Sequence, residues 1–203
     1  MMKINVDNIF PRLAPARREE EYIKKEIVYR RVADLLLSYY KPVEEIALIP
    51  ITKDLMTGSD LTEDDLYERA ECLLDGEVTL TSMSRVLAEF GQSATDKLEP
   101  EPYILTNESG CLGAGVVVSR KARQKIEEVF GSVENVILLP SSVHEFIIVE
   151  KGVGEMMDLI STVREVNRDL LSDEEFLSDN IYRLSPSGGL IVLNDVEGIL
   201  DLI

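Results

Sequence analysis

The chain has no tryptophan, a single histidine and only two cysteines in 203 residues. One histidine and two distant cysteines, Cys72 and Cys111, cannot complete a tetrahedral nitrogen and sulfur site without carboxylates, and neither C-x-x-C nor H-E-x-x-H occurs. No metal and no cofactor is therefore expected. No apolar run approaches the roughly 20 residues that span a bilayer. The opening MMKINVDNIFPRLAPARREEE has no signal-like apolar segment. A cytoplasmic chain with reduced thiols is the expectation, with no membrane association and no Cys72 to Cys111 disulfide. The G-x-S-x-G elbow is missing, and GCLGAG (110–115) has the wrong glycine order for a dinucleotide loop. SDLTEDD and SDEE lack the spacing of a calcium loop and read as helix starts.

Positive charge is scarce as well. The net charge is −17, and the first fifty residues carry nine Lys and Arg against eight Asp and Glu, so the whole excess lies in the remainder. Nucleic-acid binding needs cations to displace condensed counterions, so direct contact with DNA or RNA is disfavoured. A solubilising acidic surface is the plain reading, and an acidic regulator that mimics nucleic acid is an alternative. The hydrophobic fraction of 45% and charged fraction of 29% suit an ordinary globular body.

The pattern along the chain predicts an α+β protein with a largely antiparallel sheet and packed helices. ARREEEYIKKEIVYRRV reads as a helix of about four turns with Tyr22, Ile23, Ile27 and Val28 as its buried stripe. LLLSYYKPV and IALIPIT read as a hairpin whose Pro42 and Pro50 must sit at an edge or bulge. SDLTEDDLYERAECLLDG is the best-signalled helix, with Thr62 as N-cap and Asp65 completing a capping box. TSMSRVLAEFG reads as a second helix, and QSATDKLEPEP as a linker. The expected division is 1–98, a helix, hairpin and helical part, and 99–203, an α+β part; the two together also fit one compact domain.

The second part reads β-β-α-β-β-α. PYILTN and AGVVVS are expected strands, SRKARQKIEEVFG a helix capped by Ser119, VENVILLP and HEFIIVE a hairpin, and EMMDLISTVREVNRDLL a helix. IYRL and GLIVLN form a late hairpin. Expected core residues are Val116, Val118, Ile137, Leu139, Phe146, Ile148, Met157, Ile160 and Val163.

PYILTNESGCLGA, ILLPSSVHEFIIV, TVREVN and FLSDNIYR, in that order, resemble the signature segments of an uncharacterised domain family of Clostridia-type gut bacteria. FPRL, VYRR, ADLLLSYY and LTEDDLYERA are similar to its N-terminal part, so the resemblance covers most of the chain. It implies a shared fold, matches Gly110 and Gly113 to a glycine after the TN turn, and supplies no catalytic residue.

The candidate functional cluster is Asn107, Ser141, Ser142, His144 and Glu145. Two residues along a strand lie roughly 6.6 Å apart at Cα, so a Ser142 to His144 contact is feasible but poorly directed. Hairpin serines that bond their own turn, and a histidine bonded across it, account for LPSSVHE without chemistry. The leading reading is thus a non-catalytic interaction or regulatory protein with a protein or small-ligand partner. A small serine hydrolase or transferase using Ser141 or Ser142 with His144 is the alternative.

Overall fold

The structure, a computed structural model, describes residues 4–43, 47–57, 59–91 and 100–193. Its first sheet contains β1 (Phe10–Pro15), β2 (Tyr29–Val32), β3 (Leu35–Val43) and β4 (Ala47–Pro50), with the helix α1 (Glu19–Lys24) between β1 and β2. β3 is central: β1 runs antiparallel along one side, and β2 and β4 follow one another along the other. The expected β3–β4 hairpin is present, with Tyr40 opposite Pro50 and Val43 opposite Ala47. Ile51 donates its N–H to the Tyr39 carbonyl at 2.8 Å, so the odd residues of β3 turn their backbone toward β4. Pro42 therefore turns its donorless nitrogen to the side where β1 has already ended at Tyr40. By the same alternation Pro11 and Pro15, opposite Tyr39 and Leu35, face outward from β1 and leave Leu13 as the one outward N–H of that strand.

The expected four-turn N-terminal helix is not formed. α1 stops after six residues. Glu26 then takes a left-handed φ of 53°, and Tyr29–Val32 joins β3 as a strand. The open edge of β3 offers Tyr29 and Val32 a ladder that suits aromatic and β-branched side chains better than a helix does. Tyr22, Ile27 and Val28 are buried as expected, whereas Ile23 is 63% exposed because the helix ends before a continuous stripe can form.

A short helix, α2 (Lys53–Met56), leads to α3 (Glu63–Asp75), where the Thr62 and Asp65 capping box is formed in both directions. β5 (Val78–Ser82) and α4 (Met83–Glu89) follow, so the expected helix over 81–91 loses its first two residues to a strand. Residues 92–99, with the expected boundary near 98, lie outside the described residues. The strands on either side of that segment, β5 and β6 (Tyr103–Asn107), are hydrogen-bonded neighbours.

After β6 come a 3₁₀ segment (Gly113–Val118), α5 (Arg120–Phe130), the hairpin of β7 (Val136–Ser142) and β8 (Glu145–Glu150), α6 (Met156–Leu170), and the hairpin of β9 (Tyr182–Leu184) and β10 (Leu190–Val192). The second sheet runs β10-β9-β7-β8-β6-β5, antiparallel throughout. The fold is α+β with antiparallel sheets, as the sequence pattern predicts. AGVVVS is not the expected strand: every residue from Gly113 to Val118 is buried in 3₁₀ form. A short apolar run that is buried on all sides has no period to separate the two conformations.

One core joins Leu13, Leu37 and Tyr39 of the first sheet to Val116 of the 3₁₀ segment, Ile126 of α5, and Leu138, Phe146 and Tyr182 of the second sheet. A smaller one lies beneath α6, where Ile137, Leu139 and Val149 meet Ile160 and Val163. Met157, an expected core residue, is 61% exposed. The buried stripe of α6 runs through Ile160, Val163 and Asn167, and Met157 falls about 100° around the helix from Met156, which packs against it. No helix among the described residues is long and apolar enough to cross a membrane.

Three buried tyrosines anchor polar side chains within these layers. Tyr22 shares a 3.2 Å hydrogen bond with Ser38, Tyr39 donates to Glu63, and Tyr182 donates to Asp34 at 2.7 Å. Burial is the main cause that pushes the Tyr22 phenol up to about 12. Burial first, then the accepting carboxylate, raises Tyr39, and burial with the Asp34 charge raises Tyr182. The fold favours the neutral phenols, so their stabilisation is complete below the ordinary value of 10 and is lost as pH climbs toward the raised values. Denaturant unfolding at stepped pH should therefore show stability falling above pH 10, with phenolate absorbance from buried rings appearing together with unfolding. Ionisation of all tyrosines near pH 10 in a folded chain would contradict this.

Candidate functional site

The turn between β7 and β8 is held from two sides. Val143 donates its N–H to the Glu175 carbonyl at 2.9 Å and accepts from the Ala114 N–H at 3.2 Å. His144 then makes three bonds to its surroundings. Its N–H donates to Ser142 Oγ at 3.0 Å, and its carbonyl accepts from Thr106 Oγ1 at 2.7 Å. Its ring Nδ1 accepts the backbone N–H of Leu112 at 2.9 Å. Leu112 sits at a left-handed φ of 53°, the conformation that aims its N–H at the ring.

Asn107 closes the adjacent turn. Its Nδ2 donates to the Cys111 carbonyl at 3.0 Å, while its Oδ1 accepts from the Cys111 N–H at 3.2 Å and from Ser109 Oγ at 3.0 Å. Gly113 follows where the chain presses against β6: a Cβ there would lie 2.3 Å from Thr106 Oγ1 and 2.6 Å from the Asn107 nitrogen. Only glycine leaves room for that approach.

The structure thus brings Asn107, Ser142 and His144 into one junction. It does not bring in Ser141 and Glu145. Ser141 is the extra residue of a bulge between Pro140 and Ser142, and Glu145 is the strand partner of Ser142; both are half-buried. Among the described residues neither serine hydroxyl bonds the imidazole. A triad histidine needs hydrogen on Nδ1 for an orienting carboxylate and a free Nε2 for the serine. Here Nδ1 takes the Leu112 N–H as a lone-pair acceptor, which in the neutral ring puts the hydrogen on Nε2. The carboxylate within electrostatic reach, Glu175, is held below its ordinary value chiefly by the Ser172 hydroxyl and N–H, with a smaller contribution from His144.

A second junction, not anticipated from sequence, gathers the TVREVN and FLSDNIYR segments. Asp34, in the turn between β2 and β3, accepts from Tyr182 OH and Asn180 Nδ2 at 2.7 Å each and from Ser178 Oγ at 3.3 Å. Asn167 of α6 donates to the Ser178 carbonyl and to Asp179 Oδ1, both at 2.8 Å. A third network pairs Arg30 with both Glu63 oxygens, Nε donating to Oε1 at 3.1 Å and Nη2 to Oε2 at 2.5 Å, and stacks its guanidinium 4.0 Å from the Tyr67 ring centre.

Beside the first junction lies an open cleft of about 540 Å³ between the start of β1, the end of α3 and the 107–112 turn. Ile9, Leu73 and Leu112 supply apolar lining, Asn107 and Cys111 polar lining, and Phe10, 41% exposed, stands at its edge. No group of three or more His, Cys, Asp or Glu positioned for a metal occurs among the described residues.

Removing the imidazole would leave the Leu112 N–H without its acceptor. His144→Ala should therefore lower stability by about 1 to 3 kcal/mol in denaturant unfolding, with Ser141→Ala costing less. Gly113→Ala should cost at least as much, because its neighbours at 2.3 and 2.6 Å include backbone. Unchanged stability of either variant would show that the junction is not a joint of the fold.

Neither a curated protein nor a solved structure matches the chain. The family described as "Family of unknown function (DUF5688)" matches residues 3–185, which include both junctions and the cleft. By that match the chain belongs to the DUF5688 family.

Proposed function

We propose that this protein is a non-catalytic bacterial interaction or regulatory module of the cytoplasm, and that its working surface is the cleft beside the Asn107 and His144 junction. One observation carries the reading: the only imidazole in the chain spends its Nδ1 on the Leu112 N–H, so the residue best suited to acid–base chemistry is a structural acceptor. Ser142 is likewise occupied by the turn backbone. The cleft volume of about 540 Å³ is in the range of ligand sites, and its mix of apolar floor and polar turn groups suits recognition.

An electrophilic serine probe separates this reading from hydrolysis. Neither Ser141 nor Ser142 should be labelled, and amide resonances of Phe10, Asn107 and Leu112 should be the ones that move in a screen of small fragments and peptides. Robust labelling of Ser141 or Ser142 that disappears in His144→Ala, with folding intact, would establish the hydrolase or transferase instead.

A further inference from the structure

We propose that the cleft takes a basic segment of a partner protein, one large apolar side chain flanked by lysine or arginine; this rests on the binding reading above. The floor beneath the opening is apolar: Ile9 and Leu74 are buried, and Leu73 and Leu112 are partly so. Phe10 leaves much of its ring uncovered at the edge, which gives an anchor side chain an aromatic surface to cover.

The charged lining is unbalanced. Asp7, Glu77 and Glu108 face Arg12 alone. Asp7 is already paired with Arg69 at 2.9 Å, and the Arg12 guanidinium lies 4.6 Å from the Tyr40 ring centre, where the ring face holds it. Glu77 and Glu108 are exposed and pair with no cation among the described residues. Two uncompensated carboxylates above an apolar floor select cations flanking an apolar group, and the net charge of −17 steers the same ligands toward the protein. Rim pairs of this kind contribute little affinity each, so they set selectivity while the buried anchor supplies strength. Strand addition is disfavoured at this edge. Pro11, which lines the cleft, faces outward from β1 without an N–H, so side chains rather than a backbone ladder must make the recognition.

The test is selection of displayed random peptides about twelve residues long on the immobilised full chain, followed by calorimetric titration of the enriched sequences. Enriched peptides should place Lys or Arg on both sides of a Leu, Ile, Phe or Met, and should shift the Phe10 and Leu112 resonances. The double variant Glu77→Gln, Glu108→Gln changes exposed groups only and should keep its thermal midpoint, yet bind about tenfold more weakly and with less salt dependence. Glu77→Lys with Glu108→Lys should turn selection toward acidic peptides. Neutral or acidic sequences enriched on the unaltered chain and shifting cleft resonances would overturn the basic partner while leaving the binding reading standing. Absence of enrichment, or enrichment at another surface, would overturn both.

Discussion

The fold turns on one shared carboxylate. Asp34 ends the β2–β3 turn of the first sheet and accepts from Ser178, Asn180 and Tyr182, which lead into and start β9 of the second. Residues 171–181 contain no regular element, yet Leu177, Ser178 and Ile181 are buried. A buried loop cannot satisfy its polar groups by a ladder, so side chains must do so. Asp34 and Asn167 fill that role, one accepting from side-chain donors and the other donating to the Ser178 carbonyl. Without them, burying this connection would strand amides and hydroxyls in the core, each at a cost of about 1 to 3 kcal/mol.

The Asn107 and His144 junction solves the same problem elsewhere. The segment after β6 drops into the core as a 3₁₀ helix, and its entry at Cys111 and Leu112 leaves two backbone N–H groups that no strand can meet. Asn107 takes one and the imidazole takes the other. Residue types usually associated with chemistry therefore appear here because they are compact acceptors with fixed geometry. The neighbouring cleft, where recognition is proposed, takes as one wall the turn that this junction ties down.

Much of the architecture was legible from periodicity and caps. Thr62 and Asp65 announce α3, Ser119 and Gly131 bracket α5, and the alternation in VILLPSSVHEFIIVE gives the β7–β8 hairpin. What escaped depends on distant partners. Tyr29–Val32 has helical neighbours in sequence and becomes a strand because β3 lies open beside it; Val116 to Val118 are equally apolar as strand or 3₁₀ helix. Within the candidate site, His144, Ser142 and Asn107 stood out as residue types, and they do share a junction. Its decisive partner, the Leu112 N–H, is a backbone group and has no signature in sequence. Asp34 lies more than 140 positions from the residues it binds, a separation that no local pattern spans.

If the polar residues of these turns are joints of the fold rather than instruments of chemistry, the imidazole tautomer of His144 must show it. The chain holds one histidine, so ¹⁵N NMR of its ring reads His144 without assignment ambiguity. Under conditions where the ring is neutral, the Leu112 to His144 bond requires hydrogen on Nε2, an unprotonated Nδ1, and a Leu112 amide protected from exchange by its bond to that nitrogen. A ring with hydrogen on Nδ1 and a rapidly exchanging Leu112 amide would contradict the account and return His144 to the role of a base.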